Sequence, residues 1–190
     1  MNYNTIILSG LPGSGKTSLA ELLSTHYSWP VHSIGQLFRE EWKRRHPHGD
    51  VSFEAYWRDV SFDTQRDMNI QARSRAIQGN VILDTRYAIC YSDLPALRVF
   101  ITADIDTRTL RALNSEKYEG DLFQHVRTIL IEQEQDEVKI GRVLFGIEYD
   151  YRNPRHYHLV LDSGTMPLDE EVARIHHMMT QSETQPSLNL

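Results

Sequence analysis

The sequence predicts an α/β fold built on a parallel β-sheet, and two features of its pattern carry that prediction. Short β-rich runs alternate with long amphipathic segments along the chain, which is the order that strand–helix–strand units require. The runs are also largely apolar, as strands are when helices cover both faces of a sheet. The candidate strands are Thr5–Ser9, Val81–Asp84, Leu97–Thr102 and Tyr157–Asp162, with a weaker fifth at Pro30–Ser33.

Amphipathic segments fill the stretches between these strands. Leucines at positions 19, 22 and 23 give residues 16–27 an apolar stripe with helical spacing. Further helices are predicted at 35–45, at 52–78 with interruptions, at 121–146, and from about Pro167 onward. The middle of the long helix, 132-EQEQDEVK-139, is strongly charged, so we expect that part to project into water.

Composition and charge narrow the class of protein. A chain of 190 residues with 40% hydrophobic content suggests one domain with a sizeable core. The net charge of −6 argues against nucleic-acid or membrane-surface binding, and no apolar run reaches the ~20 residues that span a bilayer. A single cysteine fits a reducing compartment. We therefore expect a cytoplasmic monomer or homodimer with a small-molecule partner.

The stretch 10-GLPGSGKT-17 directly follows the first strand and opens the first helix. It matches the phosphate-binding P-loop pattern, in which backbone N–H groups and the helix N-terminus face a triphosphate. In such a loop Lys16 reaches the β- and γ-phosphates and Thr17 binds Mg²⁺. The sequence thus predicts an ATP and Mg²⁺ site. Its nucleotide-binding residues would be Gly10, Leu11, Pro12, Gly13, Ser14, Gly15, Lys16, Thr17 and Ser18.

Four further stretches, together with the P-loop, resemble the cytidylate kinase family, in particular its shorter archaeal-type branch. These are 31-VHSIGQLFREEWKRR-45, 79-GNVILDTR-86, 98-RVFITADIDTRTLR-111 and 157-YHLVLDSGTMPLDEEV-172. The resemblance implies a nucleoside-monophosphate-kinase fold with a five-stranded parallel core, an insert that binds the acceptor and a lid.

The same resemblance implies a division of the chain. Residues 1–180 would form one P-loop kinase domain with a three-layer core at 1–33, 80–112 and 156–180. The acceptor-binding insert would be 34–79 and the lid 113–155. Residues 181–190 are polar and contain proline, so we expect a disordered tail.

The resemblance assigns the acceptor's phosphate to Arg39 and Arg86, with Ser33 and Gly35 nearby. Arg86 also follows a predicted strand, and ligands of such sheets gather at the carboxyl ends of strands. A planar guanidinium suits a phosphate, although a structural salt bridge is the alternative for both arginines. Asp84 ends the strand and could hold a Mg²⁺-bound water, cap a helix or pair with Arg86.

The lid departs from the family pattern. Kinases of this family supply lid arginines to the transferring phosphate, but the matching positions here hold Ser115 and Ile140. The stretch 132–146 offers Lys139 and Arg142, of which we expect Arg142 to be catalytic. Its acidic residues would repel a triphosphate. Either arginines from elsewhere substitute, or the acceptor differs from CMP, or catalysis is weak.

Two further sets of side chains each have two possible roles, one of which is to bind a base. Arg108 or Arg111 could stack on adenine opposite residues 163–165, or lie on a solvated helix face. The insert is aromatic, and its rings could stack on an acceptor or pack in the core. They are Phe53, Tyr56, Trp57 and Phe62.

Three functions fit the sequence. The first is transfer of the γ-phosphate of Mg·ATP to a CMP-like nucleoside monophosphate, with Lys16, Arg86 and Arg142 as catalytic residues. The second is a small-molecule kinase that acts on a hydroxylated metabolite or a modified nucleoside. The third is an ATP-binding regulatory protein with little kinase activity.

Overall fold

The computed structural model describes residues 3–115, 118 and 120–181, without the side chains of Glu54 and Arg58. Its strands are β1 (Thr5–Gly10), β2 (Val31–Ser33), β3 (Val81–Asp84), β4 (Ala96–Thr102) and β5 (Leu159–Asp162). Its α-helices are α1 (Lys16–Tyr27), α2 (Ile34–Arg45), α3 (Phe53–Asp59), α4 (Phe62–Gln78), α5 (Ile105–Leu113), α6 (Phe123–Phe145) and α7 (Leu168–Gln181). These strands pair in parallel in the order β2-β3-β1-β4-β5. The predicted α/β class with a five-stranded parallel sheet is therefore confirmed.

Helices cover both faces of the sheet, because successive side chains of a strand point to opposite faces. On β1, Ile6 and Leu8 join one buried cluster with side chains of α1 and α7. Ile7 joins the other cluster, which α2, α3, α4 and the end of α6 build. The result is the three-layer arrangement that the apolar strands predict.

Local signals set the helix ends. α1 begins at Lys16, as predicted, and α2 begins at Ile34 because the Ser33 side chain accepts a hydrogen bond from the Gln36 amide. The predicted helical stretch 52–78 is two helices, since Ser61 caps the second one. The predicted tail 181–190 meets the described residues only at Gln181, the last residue of α7; its other residues lie outside them.

The carboxyl edge of the sheet is where the chain leaves room for a ligand. β1 lies at the centre of the sheet, with β2 and β3 on one side and β4 and β5 on the other. The winding therefore reverses beside β1, and ligands of open α/β sheets bind at such a reversal. Among residues 3–115, 118 and 120–181, no helix has the length and apolar composition of a membrane span.

Gly10 is the last residue of β1, and the contact with β4 at this point has no space for a side chain. Its φ is +151°, and a Cβ there would lie 2.2 Å from the backbone oxygen of Ile101. We expect Gly10→Ala to lower the free energy of unfolding by about 3 kcal/mol or more. Gly49→Ala is the matched control, because its φ is also positive but nothing lies within 4 Å; it should cost about 1 kcal/mol. Equal urea midpoints for the two variants would contradict this account.

Candidate active site

A cleft of about 1430 Å³ opens above the carboxyl edge of the sheet. Single-ligand pockets usually measure ~300–1,000 Å³, so this cleft has room for two ligands. The P-loop and the start of α7 line one part of it, and α2, α3 and α4 line another. The end of β3 and the inner face of α6 lie between these parts.

The P-loop forms the floor of the cleft. Residues 12–18 line it, and α1 starts there, so the helix N-terminus faces the space. Gly10 and Leu11, also predicted to bind the nucleotide, do not line it and instead supply carbonyl oxygens behind the loop. Nζ of Lys16 donates to both of those oxygens, at 3.0 Å each. The lysine therefore folds back onto its own loop.

The environment of Lys16 lowers the pKa of its side-chain amine. Burial first, and then the neighbouring positive charge of Arg86, lower the pKa of Lys16 to about 7, although the negative charges of Asp84 and Glu137 oppose this shift. A triphosphate would reverse this shift, because negative charge beside an amine raises its pKa.

Arg86 shares the carbonyl of Gly10 with Lys16. Its Nη1 donates to that oxygen, and its Nε forms an ion pair of 2.9 Å with Oε2 of Glu137 on α6. The guanidinium also lies 5.9 Å from the ring centre of Tyr151. Arg86 lines the cleft, so two cations meet at one backbone oxygen beside the phosphate-binding loop.

Glu137 balances this positive charge from inside the protein. Its side chain is 3% exposed, and it accepts hydrogen bonds from Tyr151 at 3.0 Å and from Gln133 at 2.9 Å. The prediction that residues 132–139 project into water is therefore wrong for Glu137. The sequence carried a signal for this, because Glu137 lies on the same helical face as the buried Val126 and Leu130.

Glu134, one turn earlier on α6, is also paired. It lies 3.2 Å from Arg108 and 2.9 Å from Arg152. Arg108 is buried and also donates to the backbone oxygens of Pro12 and Ala103. It therefore ties the P-loop to α6, and it is not among the cleft residues.

Arg111 occupies the nucleotide side of the cleft instead. It donates to the backbone oxygens of Ser14 and Ser163, at 3.3 and 2.7 Å. Of the two arginines that could stack on adenine, Arg111 is thus the one that faces the cleft. Glu171 lines the same part of the cleft, and burial raises its pKa to about 7, which the positive charge of Arg111 opposes.

The acceptor residues predicted from the resemblance come together at the other end of the cleft. Ser33, Gly35 and Arg39 all line it, as Arg86 does. The guanidinium of Arg39 lies 5.7 Å from the ring centre of Phe53 and donates to the oxygen of Gly35 at 3.5 Å. Among the described side chains it has no carboxylate partner. An exposed, unpaired guanidinium in a cleft is available to an anion.

Thr17 and Asp84, the predicted metal ligands, both line the cleft. Asp84 accepts a hydrogen bond of 3.1 Å from the Ser33 hydroxyl. In the described part of the chain, Asp84 forms no ion pair with Arg86 and caps no helix. Of its three predicted roles, holding a Mg²⁺-bound water is the one that remains a prediction. No cluster of three or more metal-ligating side chains occurs among the described residues.

Arg142 lies apart from the cleft. It is exposed, and the cleft residues of α6 end at Glu137, more than a turn earlier. At 100° per residue, position 142 falls on a different face of the helix from Asp136 and Glu137. Its catalytic role stays a prediction that this arrangement of α6 does not support. Lys139 pairs with Asp136 at 2.8 Å on the surface.

Several cleft residues were not predicted as site residues from the sequence. They are Gln65, Asn69, Gln133, Glu137 and Glu171. Gln65 and Glu137 interrupt otherwise apolar stripes of their helices, and a polar residue in such a stripe is the signal that would have identified them.

A parallel sheet whose first strand runs into a G-x-x-x-x-G-K-T loop defines a P-loop nucleotide-binding protein. A family model described as an AAA domain matches residues 9–128. The cytidylate kinase of Methanopyrus kandleri is 29% identical over 87% of this chain and 87% of its own length. That of Methanococcoides burtonii is 31% identical over 84% of this chain and 87% of its own length. Shikimate kinase from Bacteroides thetaiotaomicron is 14% identical but superposes with a TM-score of 0.61, covering 93% of this chain and 98% of its own.

The chain therefore belongs to the cytidylate kinase family of P-loop kinases. It is a P-loop kinase. The likeness to shikimate kinase shows the shared fold alone.

The lowered pKa of Lys16 predicts proton uptake when a triphosphate binds. At pH 8 most Lys16 side chains are neutral, and phosphate charge should return the proton, so binding takes up close to one proton per site. Calorimetry of ATP binding in two buffers with different ionisation enthalpies measures that number. Lys139→Met, at an exposed lysine, should leave it unchanged. Equal binding enthalpies in the two buffers would show that Lys16 does not change its charge.

Proposed function

We propose that this kinase transfers the γ-phosphate of Mg·ATP to the phosphate of a nucleoside monophosphate, with CMP as the model acceptor. The observation that carries the proposal is that three cations line one cleft: Lys16 on the P-loop, Arg86, which shares the Gly10 oxygen with Lys16, and Arg39 on α2. A donor triphosphate and an acceptor phosphate both need positive groups in the site. The relatives of this chain in the comparisons above are cytidylate kinases.

The chemistry needs no nucleophile from the protein. An oxygen of the acceptor's phosphate attacks the γ-phosphorus, the bond to the β,γ-bridging oxygen breaks, and ADP leaves with that oxygen's electron pair. The product is a nucleoside diphosphate. Catalysis then depends on position and charge: Lys16 leaves the loop carbonyls for the donor phosphates, and Arg86 lies where it can contact both substrates.

Thr17 and Asp84 fit a Mg²⁺ ion by the chemistry of their donors. One hydroxyl and one carboxylate at the cleft supply oxygen ligands, and Mg²⁺ commonly takes few protein ligands with water and phosphate oxygens completing its shell. When bound, the ion would neutralise charge on the β- and γ-phosphates. We further propose that the protein works in the cytoplasm as a monomer or homodimer.

Arg39 provides the test of the acceptor phosphate. Arg39→Ala should raise the KM for the acceptor about 10- to 100-fold, because a charge-assisted hydrogen bond is lost, and leave the KM for ATP unchanged. ADP release with CMP, UMP, dCMP, AMP and shikimate-like alcohols measures both. Arg44→Ala is the matched control on the same helix, since Arg44 is exposed and paired with Glu41.

Two outcomes would go against the proposal. Turnover of an alcohol but of no nucleotide would replace the nucleoside monophosphate with a hydroxylated acceptor. An unchanged KM for the acceptor in Arg39→Ala would remove Arg39 from the phosphate site.

A further inference from the structure

The acceptor end of the cleft is lined by aromatic rings with one buried polar side chain among them. Phe38, Phe53 and Trp57 line this end, and the rings of Phe38 and Trp57 meet edge to face at 4.7 Å. Gln65 on α4 lines the same space and is 5% exposed. The buried Ala72 lies on the same face of α4, so an apolar side chain would be expected at position 65.

The carboxamide of Gln65 has no hydrogen-bond partner among the described side chains or backbone. Only the backbone groups of Gln65 are paired: its N–H with Ser61, and its oxygen with Nδ2 of Asn69 at 2.8 Å. That second bond fixes the Asn69 amide one turn later, and Oδ1 of Asn69 is buried without a partner. Two amide groups on one face of α4 are thus left with unused hydrogen-bonding capacity at the cleft.

Of these two groups, the Asn69 oxygen is buried and unpaired; such a group destabilises a fold by about 1–3 kcal/mol, and most buried polar groups are paired. The Gln65 carboxamide has no partner among the described residues but lines the cleft, so a ligand there can bond to it. An unpaired carboxamide that faces a cleft beside aromatic rings is a feature of a pocket that receives a planar, polar ligand. A nonaromatic polyol could use the amides but gains little from flat rings.

We infer that Gln65 reads the base of the acceptor nucleotide, an inference that rests on the proposed function. A carboxamide presents a donor and an acceptor side by side. Cytosine presents the complement, with its N4 amino group as donor and N3 as acceptor. Uracil presents N3–H and O4, and the amide can turn to match. Gln65 therefore favours an acceptor with a nucleobase over one without, and it does not by itself separate cytosine from uracil.

The charged side chains at the acceptor end of the cleft also suit a nucleotide. Arg39 and Arg86 both line this cleft, where they would hold the phosphate while Gln65 holds the base. The described side chains that line the cleft between α2, α3 and α4 include no carboxylate, so the base end suits a neutral ring.

Two substitutions test the inference. Gln65→Leu removes the amide, and Gln65→Glu keeps its shape but replaces the donor with a second acceptor. Each should lower kcat/KM for CMP and UMP about 10- to 100-fold, because a paired hydrogen-bonding edge is lost. Neither should change kcat/KM for ribose 5-phosphate, which has the acceptor phosphate but no base. Urea midpoints establish that both variants fold.

The matched control is Gln71→Leu, at an exposed glutamine on the same helix, which should behave as the wild type with every acceptor. The ratio of CMP to ribose 5-phosphate activity is the decisive readout, since a merely structural role for Gln65 would lower both activities together. An unchanged ratio in both Gln65 variants overturns the inference.

Binding separates this inference from the proposed function. If no acceptor is phosphorylated but calorimetry shows that CMP binds and that Gln65→Leu loses that binding, the base site stands and the proposed reaction fails. If ribose 5-phosphate is phosphorylated as well as CMP by the wild type, the reaction class stands and the base site fails. If CMP neither binds nor reacts, both fail.

Discussion

The backbone oxygen of Gly10 is the point on which the active site depends. It lies at the end of the central strand, packed so closely against β4 that no side chain fits, and it accepts hydrogen bonds from both Lys16 and Arg86. A single carbonyl thus holds two basic side chains beside the phosphate-binding loop. Like charges this close repel each other, which contributes to the lowered pKa of Lys16, so an anion nearby stabilises the state in which both side chains are charged.

Helix α6 supplies that anion. Glu137 pairs with Arg86, and Glu134 pairs with Arg108 and Arg152, so these two carboxylates of α6 lie against basic groups. This gives part of the acidic stretch of α6 a physical role, because Glu137 places negative charge beside Arg86 at the phosphate-binding loop. Arg86 and Arg111 line the cleft and offer positive charge there.

Local patterns predicted the sheet, the P-loop and most helix ends, because apolar periodicity, caps and glycines act over a few residues. The residues Ser33, Arg39 and Arg86 were found through a resemblance, and the structure brings them to one cleft. The pairing of Arg86 with Glu137 could not be predicted in this way, since it joins residues about fifty positions apart and depends on how α6 packs. Arg142 was expected at the cleft for its charge alone, and the phase of the helix places it elsewhere.

The most direct test of this account is the binding of ATP to Glu137→Gln. Removing the internal carboxylate should lower the free energy of unfolding by about 3 kcal/mol, because Arg86 loses a buried partner. The same change should tighten ATP binding about tenfold by calorimetry, because phosphates no longer meet a negative charge beside Arg86. Unchanged or weaker ATP binding by a folded Glu137→Gln protein would contradict the claim that Glu137 stands in for the phosphates.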